Sequence, residues 1–158
     1  MNDSLKQIEE DILHCSRCEL RASATKPVPG FGEYSARIVL IGEAPGREED
    51  QLGIPFVGNA GKRLDRLIQL AGLNRNDIYF ANVCRCRPPD NRKPKNREIV
   101  LCKEFLWREL KLLQPKTVIT LGSIPLSLFS SSGITQMHGT SFEYEIKEEE
   151  EIVNQNVL

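Results

Sequence analysis

The sequence predicts an α/β fold in which a parallel sheet is covered by helices on both faces. Three short apolar runs, residues 37–41, 78–83 and 117–121, have the length and composition of buried parallel strands. Segments with apolar residues at helical spacing separate these runs, and strands that alternate with helices are typical of a parallel sheet. The length of 158 residues, without an internal repeat or linker, fits a single domain over residues 1–158.

The first helix is expected at the N-terminus, where Ser4 can cap it. Its apolar face stops at the first pair of cysteines. That face consists of Leu5, Ile8, Ile12 and Leu13. Residues 19–36 contain two prolines and two glycines, so we expect a loop there. The first strand follows, and residues 42–58 after it form what we call the glycine-rich loop.

Two longer helices are expected around the second strand. The earlier one ends at Gly72, where a left-handed backbone costs least. Its apolar face consists of Leu64, Leu67, Ile68 and Ala71. The later one can be capped by Asn96. Its apolar face consists of Ile99, Cys102, Phe105, Leu106, Leu110 and Leu113. The third strand ends at Gly122.

The composition indicates a soluble, intracellular protein. Apolar residues make up 40% and charged residues 27%, and no apolar run approaches the roughly 20 residues that span a bilayer. The polar start is no signal peptide, so we expect a cytoplasmic location without a membrane partner. Five cysteines are an odd number, and a reducing cytoplasm disfavours disulfides. Metal ligation is therefore the favoured use of the cysteines, with oxidised pairing as the alternative.

The net charge of −1 conceals two charged segments of opposite sign. Residues 85–97, the basic loop, carry one acidic residue, Asp90, against six basic ones: Arg85, Arg87, Arg92, Lys93, Lys95 and Arg97. Three prolines exclude a plain charged helix, and a basic loop of fixed shape indicates contact with phosphate groups. Residues 143–151, the acidic segment, are interpreted as a solvated face.

The expected ligand site lies beyond the carboxyl ends of the strands, where sheets of this kind bind their ligands. Residues 42–46, 82–92 and 122–123 occupy these positions. The glycine-rich loop lacks both the Gly-Lys-Ser/Thr ending of a phosphate-binding loop and the glycine spacing of a dinucleotide site. The sequence therefore predicts a ligand other than a nucleotide cofactor.

Five segments, in order between about residue 8 and residue 139, carry a resemblance to a known family. They are Cys15-x2-Cys18, Gly-Glu-Ala-Pro-Gly at 42–46, Gly-Ile-Pro-Phe-Val-Gly-Asn-Ala-Gly at 53–61, Asn-Val-Cys-Arg-Cys-Arg-Pro-Pro-Asp-Asn-Arg at 82–92, and Cys102. In these segments the chain resembles the iron–sulfur uracil-DNA glycosylases known as family 4. The resemblance implies a three-layer α/β/α sandwich with a four-stranded parallel sheet.

The function implied by the resemblance is base excision repair, in which the enzyme hydrolyses the bond between uracil and deoxyribose in DNA. The implied partner is uracil-containing DNA, single- or double-stranded. Other DNA repair or replication proteins are further candidate partners, and a monomer is the expected state.

The reaction develops positive charge on the sugar and negative charge on the leaving base. It therefore needs an anionic or water-positioning group near the sugar and donors near the base. By resemblance, Glu43 positions or activates the attacking water, and Gly42 and Ala44 beside it belong to the substrate site. Glu49 and Asp50 are candidates to assist, although a helix start or the protein surface is the favoured interpretation of both.

Recognition of uracil is assigned by resemblance to Asn82, with a turn-capping asparagine as the alternative. An asparagine side chain offers an acceptor and a donor side by side, which match N3–H and O4 of uracil, whereas cytosine presents the reverse pair. Phe56 matches the aromatic residue that stacks on the flipped base, because the target bond cannot be reached in a stacked duplex. Asn91 is a further candidate for the pocket or the DNA backbone.

The metal ligands implied by the resemblance are Cys15, Cys18, Cys86 and Cys102. The ligand set consists of one cysteine pair and two single cysteines far apart in the sequence. Iron–sulfur clusters accept such wide spacing, whereas zinc sites commonly use two pairs. A [4Fe–4S] cluster with a structural role is therefore favoured, and zinc is the alternative. The fifth cysteine, Cys84, is interpreted as a small core side chain.

The chain departs from the family near its C-terminus. Members carry a later His-Pro-Ser or His-Pro-Ala segment whose histidine donates to uracil O2, and this sequence has no His-Pro pair. His138 matches the register of a family arginine, so it is not the missing histidine. Loss of one preorganised donor typically costs a factor of ~10²–10³ in rate. Three interpretations stay open: a fragment or shortened glycosylase of reduced activity, a non-catalytic DNA-binding or damage-sensing module, and a zinc-stabilised interaction domain.

Overall fold

The computed structural model describes residues 3–146. In chain order, its elements are α1 (Leu5–Leu13), α2 (Leu20–Ser23), β1 (Phe31–Gly32), β2 (Ile38–Gly42), α3 (Arg47–Leu52), α4 (Asn59–Leu70), β3 (Ile78–Asn82), α5 (Asn96–Leu113), β4 (Thr117–Thr120), α6 (Ser123–Ser127) and α7 (Ile134–Met137). Short 3₁₀ turns occur at Arg75–Asp77 and Pro89–Asn91.

The four strands form one sheet in the order β1-β3-β2-β4. β2 is central and pairs in parallel with β3 and β4, so that Gly42 lies opposite Asn82 at the carboxyl ends of the strands. β1 is two residues long and pairs antiparallel with β3, a departure from the all-parallel sheet that the resemblance implied. Gly32 permits this close pairing, because a β-carbon there would lie 2.4 Å from the carbonyl oxygen of Ile78.

Helices cover both faces of the sheet, which confirms the α/β sandwich. Because successive strand residues point to opposite faces, each strand contributes to two cores. Val39 and Ile41 of β2 belong to the core that includes residues of α1 and α5, whereas Leu40 between them belongs to a core with α4. This arrangement leaves the carboxyl ends of β2 and β3 free to carry a site.

The longer elements agree with their predicted positions. The Ser4 side chain accepts a hydrogen bond from the backbone N–H of Gln7 and caps α1, and Gly72 has a φ of 72° beyond α4. Asn96 is the first residue of α5 rather than its cap. The segments α2, α3, β1, α6 and α7 were not predicted, since two to six residues are too few for a hydrophobic period.

Ion pairs fasten α1 to α5. The guanidinium of Arg108 donates to the carboxylates of Asp3 at 2.8 Å and Asp11 at 2.7 Å. The guanidinium of Arg17, between the first two cysteines, lies 4.5 Å from the ring centroid of Phe105. These contacts place the first cysteine pair beside α5.

The longest helix among residues 3–146 is α5, with 18 residues. Within that described part of the chain, no helix combines the length and the apolar character needed to cross a membrane. The acidic segment is described only as far as residue 146, where Glu143 and Glu145 are exposed, and its remaining residues lie outside the described range.

Candidate active site

A cavity of about 490 Å³ opens at the carboxyl ends of β2 and β3. Its walls come from the glycine-rich loop, the start of α4, the end of β3 and the basic loop. Its lining includes Glu43, Ala44, Glu49, Phe56, Asn82 and Asn91. The segments after β2 and β3 that the sequence indicated therefore border a cavity, whereas residues 122–123 after β4 are not among its lining residues.

Glu43 and Ala44 follow β2 directly and are half-buried. Strand-like pairing continues past the sheet, because the backbone N–H of Val83 donates to the carbonyl of Gly42 at 2.9 Å. The N–H of Cys84 likewise donates to the carbonyl of Glu43 at 3.0 Å. These bonds fix the Glu43 backbone against the end of β3, with the residue on the cavity wall.

Gly42 lies at the point where the Asn82 and Phe56 side chains meet. A β-carbon on Gly42 would lie 2.5 Å from Oδ1 of Asn82 and 2.6 Å from Cζ of Phe56. Asn82 itself is 4% exposed, so its amide is held inside the protein and borders the cavity. The absence of a side chain at residue 42 thus gives the amide and the ring their places.

Phe56 adopts a left-handed backbone with a φ of 56°, which is uncommon for a bulky residue. The guanidinium of Arg75 donates to the carbonyl oxygen of Phe56 at 3.0 Å. The Phe56 ring centroid lies 5.7 Å from that of Phe80. A β-carbon on Gly61 would lie 2.0 Å from the same carbonyl oxygen, so α4 approaches the loop as only a glycine allows. These contacts hold the Phe56 backbone, and the ring packs against Phe80 beside the cavity.

Glu49 and Asp50 lie in α3, and the helix-start interpretation is confirmed, but the surface interpretation is wrong because both are buried. The Glu49 carboxylate accepts three backbone N–H groups, from Gly46 at 3.1 Å, Val57 at 3.1 Å and Gly58 at 2.8 Å. Asp50 accepts from the N–H of Thr25 at 2.9 Å and faces away from the cavity. Sequence reasoning missed these roles, although glycines at two helix starts were a signal.

Asn91 borders the cavity from the basic loop. Its backbone is left-handed, with a φ of 54°, and its Oδ1 accepts a hydrogen bond from Nε of Arg87 at 2.7 Å. Arg92 makes a two-pronged ion pair with Glu98, and this pair lowers the pKa of the Glu98 carboxyl. These contacts give the basic loop the fixed shape that its prolines predicted.

One residue of the basic loop contradicts the prediction of phosphate contact. Arg85 is 1% exposed, and its guanidinium pairs with Glu109 of α5 at 3.2 and 2.6 Å. The hydroxyl of Tyr79 donates to the same carboxylate at 3.1 Å. A charge count along the chain cannot show that the Arg85 side chain points inward, because its partner lies 24 residues away on a helix.

The four predicted ligand cysteines belong to one core or pack against it. Cys86 and Cys102 are buried in the core next to α1 and α5, and Cys15 and Cys18 pack against that core. Burial raises the pKa of the Cys18 thiol and, to about 12, that of Cys86, and neighbouring thiols add to both shifts. Among residues 3–146, no group of three or more His, Cys, Asp or Glu side chains is arranged to hold a metal ion.

Cys84 is fully buried, as expected for a core side chain. Its hydrogen bond to Cys102 is the largest influence that lowers the pKa of the Cys102 thiol, to about 7. The Arg85 guanidinium contributes in the same direction, as does the backbone N–H of Arg85, which lies 3.2 Å from the Cys102 sulfur.

Neither of the two histidines of the chain is among the residues that line the cavity. His138 is exposed and caps the end of α7. His14 is exposed and its Nδ1 lies 2.8 Å from the carbonyl oxygen of Glu10. The cavity thus contains carboxylate, amide and aromatic groups but no imidazole among the described residues.

Comparison with known proteins gives a consistent result. Residues 29–154 match the family model described as the uracil DNA glycosylase superfamily. The chain is 42% identical over 158 residues to a type-4 uracil-DNA glycosylase of Sulfurisphaera tokodaii, covering 96% of this chain and 72% of that protein.

Two other relatives carry the same name. The chain is 45% identical over 120 residues to the Archaeoglobus fulgidus protein. The match covers 76% of this chain and 60% of that protein. The chain is 38% identical over 140 residues to the Thermotoga maritima protein. The match covers 87% of this chain and 73% of that protein. The chain therefore spans between 60% and 73% of the length of these curated relatives.

Proposed function

The chain belongs to the type-4 members of the uracil DNA glycosylase superfamily, and on that premise we propose that it hydrolyses the N-glycosidic bond of deoxyuridine in DNA. The observation that carries the proposal is the cavity at the ends of β2 and β3, where Glu43, Phe56, Asn82 and Asn91 meet. This reaction needs an anionic group near the sugar, an amide at the edge of the base and an aromatic ring on its face.

Glu43 acts on the sugar side of the bond. As the bond to uracil breaks, positive charge grows on the deoxyribose, and a carboxylate stabilises it and orients the attacking water. The backbone bond from Cys84 to the Glu43 carbonyl fixes this residue before substrate arrives. Asn91, across the cavity, has its Oδ1 bound by Arg87, which leaves its amide N–H₂ as a donor for water or the sugar–phosphate backbone.

Asn82 selects the base, and Phe56 stacks on it after the nucleotide has left the helix. The amide offers a donor to O4 and an acceptor to N3–H of uracil, a pair that cytosine does not match. Because the Gly42 backbone lies against both side chains, the base enters a slot whose edge and face are already in place. Less ordering on binding means that more of the interaction energy is available to the reaction.

DNA binds along the basic loop. Lys93, Lys95 and Arg97 are exposed there, next to the cavity wall formed by Asn91 and Arg92. Exposed cations beside the site are suited to phosphate contact, so affinity falls as salt rises. Arg85 takes no part, because its charge is used inside the protein.

Cys15, Cys18, Cys86 and Cys102 would hold a [4Fe–4S] cluster. Four cysteines that belong to one core or pack against it, and whose thiols influence one another's pKa, supply the ligands that such a cluster needs. A single zinc ion is the alternative, and the same four thiolates would be its ligands. Bound between α1, the basic loop and α5, the cluster would act structurally, since glycosidic hydrolysis needs no redox step.

A non-catalytic DNA-binding or damage-sensing module is the second candidate. The observation that favours it is the position of His14 and His138, neither of which lines the cavity to donate to the leaving base.

The two candidates differ in one experiment on a single-stranded oligonucleotide that contains uracil. We expect the wild-type chain to bind and cut, and Glu43→Gln to bind with nearly equal affinity but cut far more slowly, because the carboxylate acts mainly in the transition state. If the chain is a binding module, both proteins bind and neither cuts. Grafting a His-Pro-Ser segment from a longer relative should then restore cutting in the Glu43 form alone.

A further inference from the structure

The Glu49 carboxylate joins the two halves of the glycine-rich loop. Its Oε2 accepts the N–H of Gly46, three residues after Glu43, and its Oε1 accepts the N–H groups of Val57 and Gly58, next to Phe56. Gly46 and Gly58 are the residues that precede α3 and α4, so one negative charge serves the starts of both helices. Glu49 is 8% exposed and is one of the residues that line the cavity.

The two glycines make room for this carboxylate. A β-carbon on Gly46 would lie 2.8 Å from Oε2 of Glu49, and one on Gly58 would lie 3.1 Å from Oε1. Neither glycine has a positive φ, so the reason for glycine there is the close approach of the carboxylate rather than backbone strain. Two glycines of the loop thus leave space for one side chain.

We propose that Glu49 is a positioning residue, which sets the distance between Glu43 and Phe56 across the cavity and thereby the rate of glycosidic cleavage. The inference rests on the proposed function, because Glu43 and Phe56 receive their roles from it. A shift of about 1 Å in a reacting group can cost on the order of 10²-fold in rate. The Glu49 carboxylate binds the segment that follows Glu43 and the segment that follows Phe56, so its loss should move the two segments relative to each other.

Only a carboxylate can satisfy both halves of the loop. Glutamine has nearly the same shape but one acceptor oxygen, and its N–H₂ group would face a backbone N–H. Its oxygen satisfies most donors by turning to Val57 and Gly58, which leaves the N–H of Gly46 without an acceptor. Glu49→Gln should therefore release the half of the loop that carries Glu43.

The test is a double-mutant cycle measured by single-turnover release of uracil from a single-stranded oligonucleotide. Glu49→Gln should slow release on the order of 10²-fold while the affinity for the oligonucleotide stays close to that of the wild type. In a Glu43→Gln background the same change should cost almost nothing more, because the group that Glu49 positions is already gone.

Asp50→Asn is the matched control. It alters a buried carboxylate one residue away, which faces Thr25 instead of the cavity. If Asp50→Asn lowers activity by a general loosening of α3, the loss should be equal in the wild-type and Glu43→Gln backgrounds. The loss from Glu49→Gln should instead depend on the background. If Glu49→Gln does not fold, as judged by circular dichroism, Gly58→Ala displaces the same carboxylate and should show the same dependence on Glu43.

The outcomes separate this inference from the proposed function. A wild-type chain that releases no uracil overturns both. The inference alone is overturned if the wild-type chain releases uracil but Glu49→Gln slows release by the same factor in the presence and in the absence of the Glu43 carboxylate.

Discussion

A β-carbon on Gly42 would lie 2.5 Å from Oδ1 of Asn82, so the last residue of β2 and the last residue of β3 fit together only because one of them has no side chain. Parallel pairing puts the two residues side by side, and burial fixes the amide. The same missing side chain leaves space for the ring of Phe56. Under the proposed function, base recognition therefore depends on backbone geometry as well as on Asn82 itself.

Gly42→Ala should lower the rate of uracil release on the order of 10²-fold, because the methyl group displaces the Asn82 amide or the Phe56 ring. Gly133→Ala is the control, since a β-carbon at residue 133 meets nothing within 4 Å. Single-turnover kinetics on a uracil-containing oligonucleotide measure the effect. Equal rates for the Gly42 variant and the wild type would show that the cavity is not built as described.

Asn82→Asp should relax or abolish the preference for uracil over cytosine, because a carboxylate has no donor for O4 of uracil. Rates on matched oligonucleotides with uracil or cytosine at the same position measure this preference. Asn91→Asp, on the opposite wall, should leave the preference intact whatever it does to the rate. Unchanged discrimination in the Asn82 variant would remove the base-reading role from this residue.

Replacement of Cys86 or Cys102 by serine should lower the iron content and the melting temperature, because ligand loss is coupled to folding. Chelation of iron from the wild type should have the same effect. Cys84→Ser is the matched control and should keep its iron, since Cys84 contacts Cys102 but is not one of the proposed ligands. Iron analysis and the visible absorption spectrum provide the measurement, and full iron content in both ligand variants would contradict the assignment.

Acid should weaken the attachment of α1. Hydrogen bonds from Arg108 lower the pKa of the Asp3 and Asp11 carboxyls below their ordinary value of 3.8. A carboxyl whose pKa is lower in the folded state stabilises the fold above its unfolded pKa, and this contribution is lost as the pH falls through the folded value.

The free energy of unfolding of the wild type should therefore fall more steeply below about pH 4 than that of Arg108→Gln. Urea midpoints at a series of pH values measure the two curves. Curves that stay parallel through the acid range would mean that these ion pairs add no pH-dependent stability, as is common for exposed pairs.

The sheet and the edge of the site were predictable because their signals are local. Buried parallel strands are continuous apolar runs, and the segments that follow β2 and β3 must meet at one edge of the sheet. Asn82 and Glu43 each stand beside a strand end, so their meeting follows from strand direction alone. The resemblance to a family supplied the roles, which pattern and composition did not.

The rest could not be read from the sequence because it depends on partners far apart in the chain. Arg85 belongs to a basic run but points inward to Glu109, and Glu49 looks like a charge at a helix start but accepts three backbone groups. The antiparallel β1 rests on two residues, too few for any period. Side-chain direction is decided by packing against distant elements, which a linear pattern does not record.

The most direct test of the account is the release of free uracil by the wild-type chain from a single-stranded oligonucleotide with one deoxyuridine, measured by chromatography against the same oligonucleotide with deoxycytidine. The account predicts free uracil and an abasic site from the first substrate and no free base from the second. Binding of the uracil oligonucleotide without release of base, in a protein with its full complement of iron, would contradict the account.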